Sequence, residues 1–289
     1  MNLFRFLGVL GILLALTATA TAAPVISGPE SGLMAYYSFD NADDLGNDDS
    51  KLTGGYDGTL AGDVVYTTAA KSGGAVDITN NYNAAPGSGE YAYSWIALPG
   101  STMNPSGMTA YSFAGWFKPS FENMTTNQMY FSGWSVKADG TSPNAASTQF
   151  QLRFDTSSTR LRLNNTAIPA TRFVSVDVTD PVPSTDWIHW AFTYDQTAGV
   201  NIYANGINVA SNVAVNGNTM GSWMYAAYLG AAPNDQSNGY GGIMDEVYMF
   251  NRAITADEVG QLASIPEPSS IALVIAAGLS ALAYCWRKR

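Results

Sequence analysis

The feature that most constrains this chain is a rhythm. From Leu33 to about Phe250, short runs rich in Val, Ile, Tyr, Phe and Trp alternate with clusters of Gly, Asn, Asp, Ser and Pro. β-Branched and aromatic runs bounded by turn formers read as strands, and many in series describe an all-β sandwich. Strands are expected at Leu33 to Phe39, Tyr93 to Leu98, Tyr111 to Lys118, Gln128 to Ser135, Gln149 to Phe154, Arg160 to Leu163, Trp187 to Tyr194, Val200 to Ala204 and Ile243 to Phe250. Ala204-Asn205-Gly206-Ile207 reads as a hairpin, because Asn-Gly supplies the positive φ angles of a type I′ turn. One helix is expected, Ala256 to about Ala263, where Thr255 caps and Glu258 completes a capping box. No repeat of fixed period and no linker divides this middle region.

Composition supports a folded body and excludes one class of partner. Of 289 residues, 46% are hydrophobic and 12% aromatic, enough to bury a core against chain entropy and to exclude disorder. Residues 24 to 264 carry nine basic and 22 acidic side chains, a net charge of −13. A phosphate-tracking groove needs a basic face, so nucleic acid is excluded as a partner. The single cysteine, Cys285, lies near the C-terminus, so the body has no internal disulfide and must take its stability from a large β core.

Both ends read as addresses. Arg5, the apolar run Leu7 to Leu16 and the small residues Ala18 to Ala23 have the grammar of a secretory signal, with cleavage expected after Ala22. An uncleaved anchor is the alternative, against which the shortness of the apolar run counts. Residues 1–22 are thus a signal peptide and 23–32 a short linker. Ile271 to Trp286 is a second apolar run, about 24 Å long as a helix, which local thinning and flanking residues can fit to a membrane. Arg287, Lys288 and Arg289 follow it and would be held in the cytoplasm, leaving everything before the run outside.

Pro266-Glu267-Pro268 stands just before that transmembrane helix at 271–286. The order of Pro-Glu-Pro, apolar helix and basic end over residues 264–289 resembles the PEP-CTERM sorting signal of exopolysaccharide-producing Gram-negative bacteria. The resemblance implies an exosortase as processing partner and a protein of the cell envelope, cell surface or extracellular matrix, anchored in the membrane through its C-terminal helix before processing.

The body carries a second resemblance. SGLMAYYSFD, GYDGTL, YSFAGWFKP, DWIHWAFTYDQTAGVNIYANG and GGIMDEVYMFNRAITADEV occur in this order. Their series resembles a laminin G-like, concanavalin A-like jelly roll covering residues 33–263, with an Asn- and Gly-rich insertion at Asn80 to Gly89 expected as a surface loop.

His189, the only histidine, sits in a strand of aromatics and reads as a packed or hydrogen-bonded sheet residue; with no second N or S ligand in the body, zinc has no ligand set. Asp40, Asp43, Asp44, Asp48 and Asp49 crowd one loop, which is either solvated or bridged by a cation such as calcium. The family resemblance implies a structural calcium between Asp40 and Asp245, with Asp43 or Asp44 as further ligands. Concanavalin A-like glucanases are implied to carry Glu-x-Asp-x-x-Glu on one strand, and none of the six glutamates here lies in that arrangement. Asp245 and Glu246 are adjacent, so strand alternation is expected to separate them onto opposite faces.

The reading is therefore a non-enzymatic, exported module that binds an extracellular glycan or surface protein. The alternatives are a polysaccharide hydrolase or lyase on the same fold, and a purely structural matrix protein. The contact surface is expected among Trp223, Tyr225, Tyr228 and Tyr240, in a stretch rich in Asn and Gly, unless these aromatics fill the core and the Asn and Gly make turns.

Overall fold

A computed structural model describes residues 32–50, 52, 55–78, 94–99, 107–120, 128–134, 149–155, 160–165, 173–177, 186–212, 226–231 and 239–265. The signal segment, the 80–89 insertion, Trp223, Tyr225, Pro-Glu-Pro, the 271–286 helix and Cys285 lie outside them. No helix among the described residues is long and apolar enough to cross a membrane.

Fifteen described strands form two antiparallel sheets. The first contains β1 (Leu33–Tyr37), β3 (Val65–Thr67), β4 (Ala75–Asp77), β6 (Ala110–Pro119), β11 (Ile188–Asp195), β12 (Gly199–Ala204), β13 (Ile207–Asn212) and β15 (Gly242–Phe250). The second contains β2 (Thr59–Ala61), β5 (Trp95–Leu98), β7 (Gln128–Trp134), β8 (Gln149–Asp155), β9 (Arg160–Asn165), β10 (Phe173–Asp177) and β14 (Ala226–Leu229). All nine expected strands are present with ends shifted by up to two residues. Of the six others, β13 is the return arm of the expected hairpin; β2, β3 and β4 are three residues each, and β10 and β14 only five and four. Runs that short have no measurable alternation.

The hairpin forms as expected: Asn205 and Gly206 take φ of 47° and 82° between β12 and β13. Asn205 also ties the hairpin to its neighbour, since its Oδ1 accepts from the His189 amide at 2.9 Å. The helix α1 (Ala256–Leu262) has the expected capping box, Thr255 Oγ1 accepting from the Glu258 amide and Glu258 accepting from the Thr255 amide.

Aromatic rings join the two sheets. Phe113 of β6 is fully buried, stacks on Phe131 of the facing sheet at 4.8 Å and contacts Phe192 of β11 at 5.8 Å. Phe117 meets Tyr130 across the same interior at 4.7 Å. The first sheet is also covered on its outer side, where Val259 and Leu262 of α1 pack with Ile254 on Tyr36, Ala114, Ala191, Tyr203, Tyr248 and Phe250. Trp116 donates its indole N–H to the Leu262 carbonyl at 3.2 Å, fixing the end of the helix on the sheet.

Two outcomes follow. Phe113→Ala empties a site shared by both sheets and is expected to cost about 3–5 kcal/mol, read from urea unfolding. The Arg252 guanidinium holds the Glu258 carboxyl down to about 2. That contribution is complete above the ordinary carboxylate value of 4.5 and is lost as pH falls from there towards 2. Glu258→Gln keeps the capping geometry and removes the charge, so it is expected to lower stability by up to about 1 kcal/mol at pH 7. Melts at decreasing pH should bring variant and wild type together.

Candidate functional site

The long strand β15 carries two different partners along one edge. Its start pairs with β4, Ile243 opposite Asp77, and its end pairs with β1, from Val247 opposite Tyr37 to Phe250 opposite Leu33. Asp245 and Glu246 lie at the seam between them. There the register with β6 slips between Asp245 and Tyr248, and Glu246 takes a φ of 51°. One extra residue in a strand breaks the alternation of side chains. Asp245 is opposite Trp116 on the outer side, while Glu246 accepts from the hydroxyls of Tyr36 at 2.8 Å and Tyr248 at 2.7 Å, also on the outer side. The expectation that the two acids face opposite ways is thus corrected, for a bulge that adjacency alone does not reveal.

Both acids are sealed, at 0% and 1% exposure. Asp245 Oδ2 accepts from the amides of Lys71 at 2.8 Å and Ser72 at 2.9 Å, and Oδ1 has no hydrogen-bond partner. Glu246 Oε1 is likewise buried without a partner. Burial, followed by the Glu246 charge, pushes the Asp245 carboxyl well above its ordinary value; the two amides oppose this. Burial lifts Glu246 to about 7 against the two tyrosine hydroxyls.

Asp40, just past β1, reaches the same loop. Its Oδ1 accepts from the Gly74 amide at 2.7 Å, and Gly73 at φ 54° lies so close that a Cβ there would stand 1.8 Å from that oxygen. Burial raises the Asp40 carboxyl, opposed by the Gly74 amide. Asp40 and Asp245 therefore converge on residues 71–74. Asp43 and Asp44 do not join them: both are exposed and serve a turn in which Asn41 Oδ1 accepts from the Asp43 amide and the Asn41 carbonyl from that of Asp44.

The remaining acids of the loop are structural. Asp48 accepts from the amides of Tyr36, Ser50 and Tyr56 and the hydroxyl of Ser50, and Asp49 accepts from the amide and hydroxyl of Ser38. Amide donors, rather than solvent, offset the crowded charge. Among the described residues no three His, Cys, Asp or Glu side chains converge as a metal-ligand set. Asp245 Oδ1 is buried without a hydrogen-bond partner, and the Asp40 charge acts on the same carboxyl; a cation that also uses backbone carbonyls and water, the ligands calcium accepts, would suit that oxygen.

His189 is fully buried edge-on to Trp116 at 5.3 Å, and neither ring nitrogen has a hydrogen-bond partner. Burial and the Lys71 charge lower it to about 3, so it is neutral and packed.

Two aromatic rings stand on the outer face of the second sheet. In β5 the residues alternate half-buried and buried, so Trp95 and Ala97 face out while Ile96 and Leu98 face the core. Tyr228 of β14 is opposite Ala97, and the rings of Trp95 and Tyr228 lie 5.7 Å apart at 36°. Both are half-buried and form a tilted aromatic platform. Tyr228 is among the expected contact residues and Trp95 is not: Trp-Ile-Ala-Leu is apolar throughout, and only its burial in the sheet separates the outward Trp95 from the inward Ile96. Tyr240 is corrected: it is fully buried against Tyr130 at 5.1 Å, its hydroxyl donates to the Ile243 carbonyl, and it offers no contact surface.

The comparisons agree with this architecture. Residues 88–260 match the model of the Laminin_G_3 family, described as the concanavalin A-like lectin/glucanases superfamily. Domain 4 of AbnA, a GH43 extracellular arabinanase from Geobacillus stearothermophilus solved with arabinotriose, superposes with a TM-score of 0.57 at 24% identity, over 80% of this chain and 98% of that one. The botulinum neurotoxin serotype G binding domain gives 0.53 at 15% identity, and the serotype D ligand binding domain solved with N-acetylneuraminic acid gives 0.55 at 12%. They are covered over 50% of their length each, against 79% and 80% of this chain, and at these identities the likeness is one of fold. No curated protein matches the chain by sequence. More than half of the chain falls within the family match, and the chain belongs to the concanavalin A-like lectin/glucanases superfamily.

Proposed function

We propose that this protein is an exported, non-catalytic glycan-binding module of the cell surface or extracellular matrix. The observation that carries the reading is the Trp95–Tyr228 platform on the outer face of the second sheet, whereas α1 covers that of the first. Flat apolar rings stack on the C–H faces of sugars, and a rigid sheet positions them without an ordering cost. Structural neighbours solved with arabinotriose and with N-acetylneuraminic acid support a sugar as ligand class over a surface protein. The Asp245–Glu246 pair supports no hydrolytic role, because both carboxylates are sealed beneath Tyr36, Tyr248 and the 71–74 loop. In the same reading the N-terminal signal directs export, and the Pro266–Pro268 motif, apolar helix and Arg287–Arg289 end hand the chain to an exosortase, with temporary anchoring in the membrane.

Calcium belongs to this proposal as a structural ion between Asp40 and Asp245. It would neutralise the sealed Asp245 carboxylate and tie β1, the 71–74 loop and β15 together.

Glycan binding is tested by thermal melts and affinity electrophoresis across acidic and neutral polysaccharides. Trp95→Ala and Tyr228→Ala are expected to weaken binding at least tenfold, about 1.4 kcal/mol or more, while the unliganded melting temperature stays within a few degrees. New reducing ends that disappear on a single carboxylate substitution would overturn the non-catalytic reading.

Calcium at 100 times its Kd is expected to stabilise by about 2.7 kcal/mol. Melts with calcium and with chelator measure this, and the shift should vanish in Asp245→Asn and Asp40→Asn. A shift that survives Asp245→Asn would dismiss that residue as a ligand.

A further inference from the structure

Beyond the reach of α1 the outer side of the first sheet opens into a second recess. His189 pairs with Trp116 and Ile188 with Phe117, so the next step of the same register sets Trp187 beside Lys118. Strand alternation then puts both on the side that carries Trp116 and His189. With Ala69, Ala70 and Asp186 they line a cleft of about 510 Å³, within the ~300–1,000 Å³ typical of small-molecule sites. Trp187 and Lys118 are half-buried, Asp186 is exposed, and the two alanines keep one wall small.

Lysines are scarce in this body. The body has only four lysines and a net charge of −13, yet one of them lies over Trp116 and another lines the cleft. Lys71 lies over the Trp116 ring at 4.0 Å, and Lys118 lines the cleft. No carboxylate among the described residues pairs with the Lys118 amine. A half-buried ammonium held in no ion pair can take an anionic ligand group, and Asp186 on the same cleft leaves an acceptor for that ligand's hydroxyls.

We infer that this cleft binds a carboxylate-bearing sugar residue, a uronate of an acidic polysaccharide. Lys118 takes the carboxylate, the Trp187 indole takes a face of the pyranose ring, and Asp186 accepts from its hydroxyls. The inference rests on the glycan-binding reading above; it adds a second site and names the ligand class.

The test uses the purified full chain with oligogalacturonate and oligomannuronate, each compared with its methyl ester by isothermal titration. The acid forms are expected to bind at least tenfold more tightly than their esters, with affinity falling as sodium chloride rises. Lys118→Gln should bring acid and ester within about twofold of each other, and Trp187→Ala should weaken both, with melts confirming that each variant is folded. Equal binding of acid and ester by the wild type, or a preference that survives Lys118→Gln, overturns the cleft assignment. If neutral glycans bind and no uronate does, the cleft assignment falls and the glycan reading stands. If no glycan of either kind binds, both fall.

Discussion

The architecture depends on one carboxylate and two amides. Asp245 Oδ2, fully buried, accepts from Lys71 and Ser72 and so fixes the loop that enters β4 against the middle of β15. A sheet edge shared by two short strands leaves backbone donors unpaired at the join, and an unpaired buried amide costs about as much as a lost hydrogen bond. A carboxylate can accept from both amides at once. The bulge at Glu246 then completes the seam, turning a second acid outward onto the hydroxyls of Tyr36 and Tyr248.

That seam divides the labour of the two sheets. On the first, Trp116, His189, Tyr36 and Tyr248 are consumed in packing beneath α1 and in satisfying the acids. On the second, strand alternation leaves Trp95 and Tyr228 standing outward over Ile96 and Leu229, which face the core. The aromatic content of the chain therefore serves two ends, and burial, not residue type, separates them.

Much of the fold was legible in the sequence because long strands such as Tyr111 to Lys118 and Trp187 to Tyr194 carry dense aromatic and β-branched runs, and because Asn205-Gly206 and Thr255/Glu258 encode their turn and cap locally. The three-residue strands β2 to β4 were not legible: their pairing comes from neighbours far along the chain. The candidate site was half legible. Asp40 and Asp245 each accept from amides of the 71–74 loop while Asp43 and Asp44 turn to solvent, and only the backbone tells which acids of a crowded loop face inward. The Glu246 bulge, the burial of Tyr240 and the pairing of Trp187 with Lys118 are likewise properties of register, which composition does not specify.

The pairing of β1 with the end of β15 has a mechanical consequence. The Gly32 carbonyl accepts from the Asn251 amide, so the two flanks of the sandwich leave it side by side. A pull applied between those flanks would open the β1–β15 ladder one rung at a time, the geometry in which antiparallel strands resist least. A load entering through the second sheet and leaving through the flank that follows β15 passes instead across the aromatic interior, where Phe113 and Phe131 interlock, and spares that ladder.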